Sequence, residues 1–206
     1  MFSGVIHQMA QVKTFNRNVL EVSSAYRPAL GDSIAVNGAC LTVIGLLKGG
    51  FVLELSAHTQ ESIALENYAP GARVHMEPAL RLDSRLDGHF VQGHVDGIGT
   101  IVAIEPHANQ VNLEVQAPND FLRLCIPKGS IALDGVSLTL SEVHVHSFSL
   151  TIIPYTFANT LFSSYKKGQR VNLESDLLVR ALARLLQRSP QAKPTWQDVD
   201  RIVMGY

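Results

Sequence analysis

The chain has 206 residues, a formal net charge of -1, 46% hydrophobic residues and 17% charged residues. This composition is typical of a compact soluble protein, and the absence of a lysine and arginine cluster argues against binding to nucleic acid or an anionic membrane. No apolar run of spanning length and no secretory pattern occurs, so we expect a cytoplasmic protein with a small, nearly neutral partner. Two cysteines are too few for a disulfide framework and the eight histidines lack a metal-binding spacing, so we predict free thiols and no metal site.

An internal repeat organises the chain. The segment GDSIAVNGACLT at residues 31–42 reappears as KGSIALDGVSLT at residues 128–139, 97 positions later. The beginnings of the copies also correspond, because Phe2-Ser3-Gly4-Val5 aligns with Val91-Gln92-Gly93-His94. A period of this size indicates two domains rather than a solenoid. The predicted division is one domain at residues 1–88, a second at residues 89–186 and a helical tail at residues 187–206.

Short apolar runs broken by glycine, asparagine, aspartate and proline predict about six strands in each copy. In the first copy these strands are Gly4–Lys13, Asn18–Ser23, Ser33–Asn37, Cys40–Leu47, Gly50–Leu55 and Arg73–Pro78. In the second they are Gly93–Glu105, Gln110–Gln116, Ser130–Leu133, Ser137–Val145, Ser147–Ile153 and Arg170–Glu174. A short helical stretch is predicted before the last strand of each copy, at residues 61–66 and 158–163. Strands of this length and spacing favour a small closed barrel or a sandwich, and closure removes exposed sheet edges.

The pattern changes to that of a helix after Asp176. Leucines recur at helical spacing there and predict a helix that ends near Arg188. A second tail helix is predicted for residues 195–205, because Thr195 and Asp198 have the spacing of an N-terminal cap. Its apolar side chains need a barrel or another subunit to pack against.

The matched segments place reactive side chains at corresponding positions. Alternate residues of a strand share a face, so Cys40 in the first copy and Ser137 in the second face the same way as the threonine two residues later. The turn pairs Asn37-Gly38 and Asp134-Gly135 come just before these strands, which predicts that the reactive groups lie at a barrel mouth. A lone serine or cysteine is more often structural, but matched positions with different chemistry indicate two pockets of one shape.

The segment GHFVQGHVDG at residues 88–97 joins the copies. Histidine titrates near neutral pH, so His89 and His94 beside glycine-rich backbone are candidates for proton transfer, although a single histidine is more often structural. Lys128 is a candidate donor to a ligand carbonyl, or a solvated surface lysine. Asp176 follows a strand end, where the ordinary role of an aspartate is to cap a helix.

Six segments together resemble the riboflavin synthase family of the alpha-chain type, in order and at the expected intervals. They are MFSGV, NGACLTV, GHFVQGHVDG, LDGVSLT, GQRVNLESD and VMGY. The resemblance covers nearly the whole chain and implies an all-β fold of two tandem six-stranded Greek-key β-barrels related by the internal repeat, plus a C-terminal α-helix. It also implies a homotrimer with active sites between the N-terminal barrel of one subunit and the C-terminal barrel of its neighbour.

The implied reaction is a dismutation that uses no cofactor. Two molecules of 6,7-dimethyl-8-ribityllumazine bind, one on each barrel, and a four-carbon unit passes from one to the other. The products are riboflavin and 5-amino-6-(D-ribitylamino)uracil, and the reaction is the last step of riboflavin biosynthesis. The two domains are then lumazine-binding barrels and the tail a trimerisation element, and association with lumazine synthase is left open.

The resemblance also implies site residues. Those expected to act in catalysis are Ser137, His94, Cys40, Asp134, Lys128, Asp176 and His89. Ser137 and His94 are assigned to proton handling or addition with Cys40 in support, whereas the aspartates and His89 are expected to orient the site. The N-terminal pocket is expected to contain Gly4, Val5, Ile6, Cys40, Leu41, Thr42, Glu54, Leu55, Ser56, Ala57, His58, Thr59, Gly93, His94 and Val95. The C-terminal pocket is expected to contain Lys128, Ser137, Leu138, Thr139, Thr151, Ile152, Ile153, Pro154, Tyr155 and Thr156.

Three positions depart from the family pattern. His58 and Tyr155 stand where glutamate is usual, which removes from both copies an acidic group that could contact the ribityl chain, and His75 stands where asparagine is usual. The alternatives are a non-catalytic lumazine-binding antenna protein, the flavin-binding barrel of a reductase and a structural tandem-barrel module. The intact LDGVSLT segment argues against the first, and the lack of an Arg-x-Tyr-Ser flavin motif argues against the second.

Overall fold

The computed structural model of the chain describes residues 1–188. The second predicted tail helix, residues 195–205, lies outside the described residues. Within the described part, no helix combines the length and the apolar character needed to cross a bilayer.

Twelve strands within residues 1–188 form two closed antiparallel barrels of six strands each. The N-terminal barrel contains β1 (Gln8–Asn16), β2 (Val19–Ser23), β3 (Ser33–Val36), β4 (Ala39–Leu47), β5 (Gly50–Glu54) and β6 (Arg73–Pro78). The C-terminal barrel contains β7 (Gly97–Pro106), β8 (Val111–Gln116), β9 (Ser130–Leu133), β10 (Val136–Val143), β11 (Ser147–Ile152) and β12 (Arg170–Ser175). The strand orders around the walls are β1-β2-β5-β4-β3-β6 and β7-β8-β11-β10-β9-β12, so the copies share one Greek-key order. The prediction of two tandem six-stranded barrels is confirmed.

Helices occupy little of the described chain. The α-helices are α1 (Ala57–Ser62), α2 (Asn119–Leu122), α3 (Pro154–Asn159) and α4 (Leu177–Arg188), and two short 3-10 helices span Leu65–Tyr68 and Leu161–Ser164. α1 and α3 begin four residues before the predicted helical stretches, because Ser56 caps α1 and Pro154 occupies the first turn of α3, where its fixed φ suits a helix. The helix predicted to end near Arg188 is confirmed, whereas α2 has four residues and was missed because it is too short to show helical periodicity.

Side chains of the repeat fill each barrel. Along β4, Ala39, Leu41 and Val43 point inward and are buried, whereas Cys40 is only half-buried and Thr42 is exposed. Such alternation gives each strand one core face, and each large apolar side chain removed from water contributes roughly 1.5–3 kcal/mol. The largest side chains of the two interiors include Leu20, Phe51, Leu53, Met76, Ile101 and Phe148. A ligand site must therefore lie on an outer wall.

Two hairpin turns bring the barrels together. Asn37-Gly38 and Asp134-Gly135 all have positive φ values, between 43° and 80°, which is the geometry of the tight turns that match strand twist. A Cβ added to Gly38 would lie 2.7 Å from the backbone nitrogen of Gly135, and the reverse distance is 2.8 Å. The turns therefore meet backbone to backbone, and the reciprocal contact relates the copies by a local two-fold axis.

His75 crosses this interface. Its Nε2 accepts a hydrogen bond from the N–H of Leu161 at 2.8 Å, so Nδ1 carries the proton and donates to the carbonyl oxygen of Asp134 at 3.0 Å. The side chain is fully buried, and burial lowers the pKa of His75 from 6.5 to about 4. His75 thus serves the barrel interface.

Asn172 makes the matching contacts in the other direction. Its Nδ2 donates to the carbonyl oxygen of Asn37 at 2.8 Å, and its Oδ1 accepts from the N–H of Ala64 at 2.7 Å. A histidine in one copy and an asparagine in the other therefore satisfy equivalent backbone groups across the axis.

We expect His75→Asn to be tolerated and His75→Ala to be destabilising. Asparagine can make both backbone contacts, as Asn172 does, whereas alanine leaves two buried groups unpaired and a cavity, at a cost of about 2–4 kcal/mol. Urea unfolding above pH 6.5 measures the difference.

The acid stability should also change. The pKa of His75 is lower in the folded state, about 4, than its unfolded value of 6.5, so its contribution is complete above pH 6.5 and is lost as the pH falls from 6.5 towards 4. His75→Asn should therefore lose less folding stability than wild type over this pH range, by up to about 3 kcal/mol. The titration of Asp134 affects both proteins and therefore cancels in the difference between their free energies of unfolding. Parallel pH profiles for wild type and His75→Asn would contradict the assignment.

Candidate active site

The segments that precede the barrels cross from one barrel to the other. We call residues 2–6 the first crossing segment and residues 91–95 the second. They pair where Phe2 and Val91 exchange backbone hydrogen bonds with N···O distances of 2.7 and 3.1 Å. The predicted strands that begin at Gly4 and Gly93 are therefore too long, because the crossing segments leave the sheets that β1 and β7 join.

Glycine is required where each crossing segment reaches the opposite barrel. The carbonyl oxygen of Gly4 accepts from the N–H of Ser137 at 2.8 Å, and that of Gly93 accepts from the N–H of Cys40 at 2.8 Å. A Cβ on Gly4 would lie 2.6 Å from the Cβ of Ser137, and one on Gly93 would lie 2.5 Å from the Cβ of Cys40. Both glycines have positive φ, 76° and 80°, so conformation and proximity together exclude a side chain.

This exchange corrects the predicted N-terminal pocket. Gly4, Val5 and Ile6 were assigned to it, but Gly4 lies against Ser137 and Ile6 packs on the C-terminal core. Conversely, the second crossing segment reaches the N-terminal barrel, where Val95 packs on the core.

A pocket of about 430 Å³ opens beside Cys40 on the outer wall of the N-terminal barrel. Its volume is within the range of small-molecule sites, and it joins β4, α1 and the second crossing segment. The lining residues are Ala39, Cys40, Ser56, His58, Thr59, Ser62, Ile63, Gly93, His94 and Val95. The pocket lies outside the barrel interior, because the outward face of β4 carries Cys40 and core side chains fill the interior.

The N-terminus of α1 shapes one side of this pocket. The hydroxyl of Ser56 accepts from the N–H of Thr59 at 3.0 Å, which fixes the first turn. His58 lines the pocket and also a second cavity of about 480 Å³, which extends to Asp96 and Pro118. The two cavities share the lining residues His58, Ser62 and Val95.

The matching region of the C-terminal barrel contains a serine and histidine pair. The Ser137 hydroxyl lies 2.7 Å from Nδ1 of His89, and the N–H of His89 donates to the carbonyl oxygen of Ser3 at 3.1 Å. Burial lowers the pKa of His89, and the charge of Asp176 acts in the opposite direction. His89 is therefore a neutral imidazole, and its Nε2 has no hydrogen-bond partner among residues 1–188.

Asp134 lies in the barrel interface. One carboxylate oxygen accepts from the N–H of Asn172 at 2.7 Å and the other accepts from the hydroxyl of Tyr165 at 2.5 Å. Burial raises the pKa of Asp134 to about 7. The side chain therefore holds the turn before β10 within the C-terminal copy, whereas the backbone carbonyl of Asp134 makes the contact with His75 of the N-terminal copy.

The remaining catalytic candidates occupy two different settings. Asp176 caps α4, since its Oδ1 accepts from the N–H groups of Leu178 and Val179 at 2.8 and 3.2 Å, and it is near enough to His89 to affect that pKa. Lys128 is exposed in a turn with φ of 65°, and its N–H donates to the carbonyl oxygen of Leu140.

Three predicted substrate contacts have core side chains with 1% exposure, so only their backbone can face a ligand. They are Leu41, Leu55 and Ile152. Two others bond elsewhere on the surface, since Glu54 accepts from Asn18 and Thr151 donates to Asn112.

The other predicted contacts lie on β4 and β10 and at the starts of α1 and α3. Thr42 and Thr139 are exposed on the same strand faces as Cys40 and Ser137. Leu138 lies in β10, and the residues at the starts of α1 and α3 are Ala57, Ile153, Pro154, Tyr155 and Thr156. Ile153 and Tyr155 are 58% and 75% exposed, so the C-terminal site has a more apolar border than the N-terminal site.

Sequence reasoning missed the residues that hold the crossing segments. Glu77, Glu174 and Arg180 contact these segments. The repeat aligns Glu77 with Glu174, which could have marked both positions, but only the folded chain shows which segment each one contacts.

We expect Gly93→Ala to disrupt the N-terminal pocket and Gly71→Ala to leave it intact. Both glycines have positive φ, 80° and 89°, but a Cβ on Gly71 meets nothing within 4 Å. Both variants incur conformational strain of about 1 kcal/mol, while only Gly93→Ala forces β4 and the crossing segment apart. Thermal unfolding and the reactivity of Cys40 towards iodoacetamide measure the two effects. Equal reactivity in both variants would refute the close approach.

Comparison with known proteins identifies one domain family in both copies. The lumazine binding domain model matches residues 3–79 and 92–176. Riboflavin synthase of Mycobacterium tuberculosis (strain ATCC 25618 / H37Rv) is 37% identical over 198 residues, which cover 91% of this chain and 98% of the relative. Riboflavin synthase of Bacillus subtilis (strain 168) is 32% identical over 212 residues, which cover 100% and 98%. That of Photobacterium leiognathi is 34% identical over 198 residues, which cover 91% and 89%.

Solved structures share the fold. LumP complexed with 6,7-dimethyl-8-(1'-D-ribityl) lumazine has a TM-score of 0.75, and LumP complexed with riboflavin has a TM-score of 0.76. Each alignment covers 85% of this chain and 99% of that chain at 18% identity, so the likeness is one of fold alone.

Proposed function

The chain belongs to the riboflavin synthase family, and we propose that it performs the family reaction with one lumazine on the outer wall of each barrel. Two molecules of 6,7-dimethyl-8-ribityllumazine give riboflavin and 5-amino-6-(D-ribitylamino)uracil as a four-carbon unit passes between them. The observation that carries this proposal is the matched placement of Cys40 and Ser137, each against a crossing segment from the other copy.

Proximity supplies much of the rate in this proposal. Two rings held in register react as one bound assembly, which is worth roughly 7–11 kcal/mol relative to free encounter. The lumazine ring delocalises the charge left by loss of a methyl proton, so the reaction needs no resident cofactor. The protein has to orient two rings, move protons and exclude water.

Ser137 and His89 can move the proton at the C-terminal site. A serine hydroxyl is a poor base by itself, but the neutral imidazole of His89 lies 2.7 Å away. As the hydroxyl oxygen takes the proton from the C7 methyl group, its own proton passes to Nδ1 of His89. Asp176 favours the imidazolium that results, because its charge raises the pKa of His89.

The N-terminal site has different groups for the second lumazine. The thiol of Cys40 and the imidazole of His94 line the pocket, where addition to C7 of the ring and proton transfer are required. Ser56 and Thr59 provide hydroxyl groups at the pocket edge. We assign contacts with the polar ribityl chain to this edge and to His58.

The proposed organisation places the lumazine-binding barrels at residues 1–88 and 89–186 and the tail at 187–206, with α4 crossing the last boundary. The exposed leucines of α4 support a trimerisation role, since Leu178, Leu182 and Leu185 are 67%, 57% and 64% exposed at helical spacing. In the proposed homotrimer the active sites form between neighbouring subunits. The proposal places the enzyme in the cytoplasm, where it could associate with lumazine synthase.

The direct test is to incubate the purified chain with 6,7-dimethyl-8-ribityllumazine alone. We expect riboflavin absorbance and fluorescence to grow to half the amount of lumazine consumed, because each turnover converts two molecules. Ser137→Ala serves as the control, and should slow product formation by roughly 10²–10⁴-fold because it removes the group that takes the proton. Binding without product in the wild-type chain would support an antenna protein, and no binding would contradict both functions.

The trimer is tested by Leu182→Glu on α4. A charge on the exposed leucine face should dissociate the assembly and reduce activity, because the proposed sites need two subunits. Leu82→Glu is the matched control, since Leu82 is fully exposed in the segment between the barrels. Analytical ultracentrifugation measures the mass of each protein. A wild-type monomer with full activity, or an unchanged trimer in Leu182→Glu, would overturn the assignment.

A further inference from the structure

We propose that Glu77 and Glu174 are positioning residues. Each lies in the last strand of its own barrel and holds the crossing segment that completes the site on the other barrel. The inference deepens the proposed function and rests on it for the identity of the two sites. We call each carboxylate, together with the backbone groups that it binds, a clamp.

The first clamp is built on Glu77 in β6, which is 4% exposed. One carboxylate oxygen accepts from the N–H of Ser3 at 2.7 Å and from its hydroxyl at 2.8 Å, and the other accepts from the N–H of Gly4 at 3.0 Å. The carbonyl oxygen of Gly4 then accepts from the N–H of Ser137. Two successive hydrogen bonds therefore connect a carboxylate of the N-terminal barrel with the reactive strand of the C-terminal barrel.

The second clamp is built on Glu174 in β12, which is 2% exposed. Its carboxylate accepts from the N–H of Gln92 at 2.7 Å, that of Gly93 at 2.9 Å and that of His94 at 3.1 Å. The carbonyl oxygen of Gly93 accepts from the N–H of Cys40. A carboxylate of the C-terminal barrel thus holds the segment that lines the pocket of the N-terminal barrel.

Arg180 distinguishes the second clamp from the first. Its guanidinium lies 3.9 Å from the Glu174 carboxylate, donates to Oε1 of Gln92 at 2.8 Å and pairs with Asp96. In the first clamp the hydroxyl of Ser3, which aligns with Gln92 in the repeat, supplies an extra donor instead. Because Arg180 belongs to α4, the N-terminal pocket is connected with the C-terminal helix through the second clamp.

A carboxylate suits this geometry better than an amide. Burial raises the pKa of both carboxyl groups, to about 7 for Glu174, and the hydrogen bonds that converge on their oxygens oppose this by favouring the ionised form. Hydrogen bonds to an ionised acceptor are about twice as strong as neutral ones. Glutamine keeps the shape but presents an NH₂ group to at least one N–H donor. Glu77→Gln and Glu174→Gln therefore loosen one crossing segment each with little change in volume.

A purely structural role makes a different prediction from a positioning role. Two buried glutamates that only stabilise the fold would, when replaced, weaken both sites alike. Positioning residues with crossed targets should each affect one site, on the barrel opposite to the substitution.

Thiol protection reports on each site separately. Cys40 reports on the N-terminal site, and the double variant Cys40→Ser with Ser137→Cys moves the thiol to the equivalent place in the C-terminal site. Cys125 is buried in the C-terminal core and remains as a constant background. Each protein is alkylated with iodoacetamide at increasing concentrations of 6,7-dimethyl-8-ribityllumazine.

We expect Glu174→Gln to raise the lumazine concentration for half-protection about tenfold or more at the Cys40 thiol and to leave the C-terminal reporter unchanged. Glu77→Gln should have the reverse effect. Arg180→Gln should act like Glu174→Gln, whereas Arg170→Gln is the matched control, because Arg170 pairs with Glu66 at the surface. Equal effects on both reporters, or an effect on the same-barrel site, would overturn the inference.

Hydrogen exchange of the backbone amides, measured on the ligand-free protein, tests the clamps without the substrate. Glu77→Gln should speed exchange in residues 2–6 and at the amide of Ser137, and Glu174→Gln should do so in residues 91–95 and at the amide of Cys40. If lumazine protects neither thiol of the wild-type proteins while these patterns appear, the proposed function fails and the crossed clamps stand. If a glutamate variant does not fold, the Arg180→Gln variant tests the second clamp, which holds the segment at the N-terminal site. Faster hydrogen exchange in both crossing segments of this variant would contradict the clamps.

Discussion

The backbone contact between two hairpin turns determines how the barrels sit together. Gly38 and Gly135 approach so closely that a Cβ on either would collide with the backbone of the other. At this separation, one side chain from each copy can reach backbone groups beyond the axis, and His75 and Asn172 do so. The two-fold relation gives the contact that His75 makes in the first copy a counterpart that Asn172 makes in the second.

The exchange of crossing segments makes each site a product of both copies. Neither barrel contains a complete site, because the segment facing Cys40 or Ser137 belongs to the other repeat. Closed barrels with filled interiors leave only their outer walls for a ligand, and the crossing segment turns a wall into a pocket. The repeat therefore acts as one unit although each barrel has its own core.

Symmetry in the scaffold and asymmetry in the side chains suit a dismutation. Two identical molecules must be held alike, but one loses a proton while the other gains a bond. The copies present the same backbone with different groups, a thiol at Cys40 against a hydroxyl at Ser137 and an imidazole at His94 against the aligned Val5. The polar Ser56 similarly corresponds to the exposed Ile153 at the pocket border.

The repeat, the strand pattern and the motifs were sufficient to predict the two six-stranded barrels, the helix to Arg188 and the family, because side-chain periodicity and turn residues act locally along the chain. The partners of Gly4, the interface role of Asp134 and the pocket on the outer wall could not be predicted in that way. Leu41 and Cys40 are neighbours in sequence, yet one is core and one lines the pocket, and strand pairing sets which face is inside. The sequence by itself determined that each copy folds as a six-stranded barrel of this family. Only the tertiary structure decided which copy completes which site, because contacts across a two-fold axis produce no periodic pattern in the sequence of either copy.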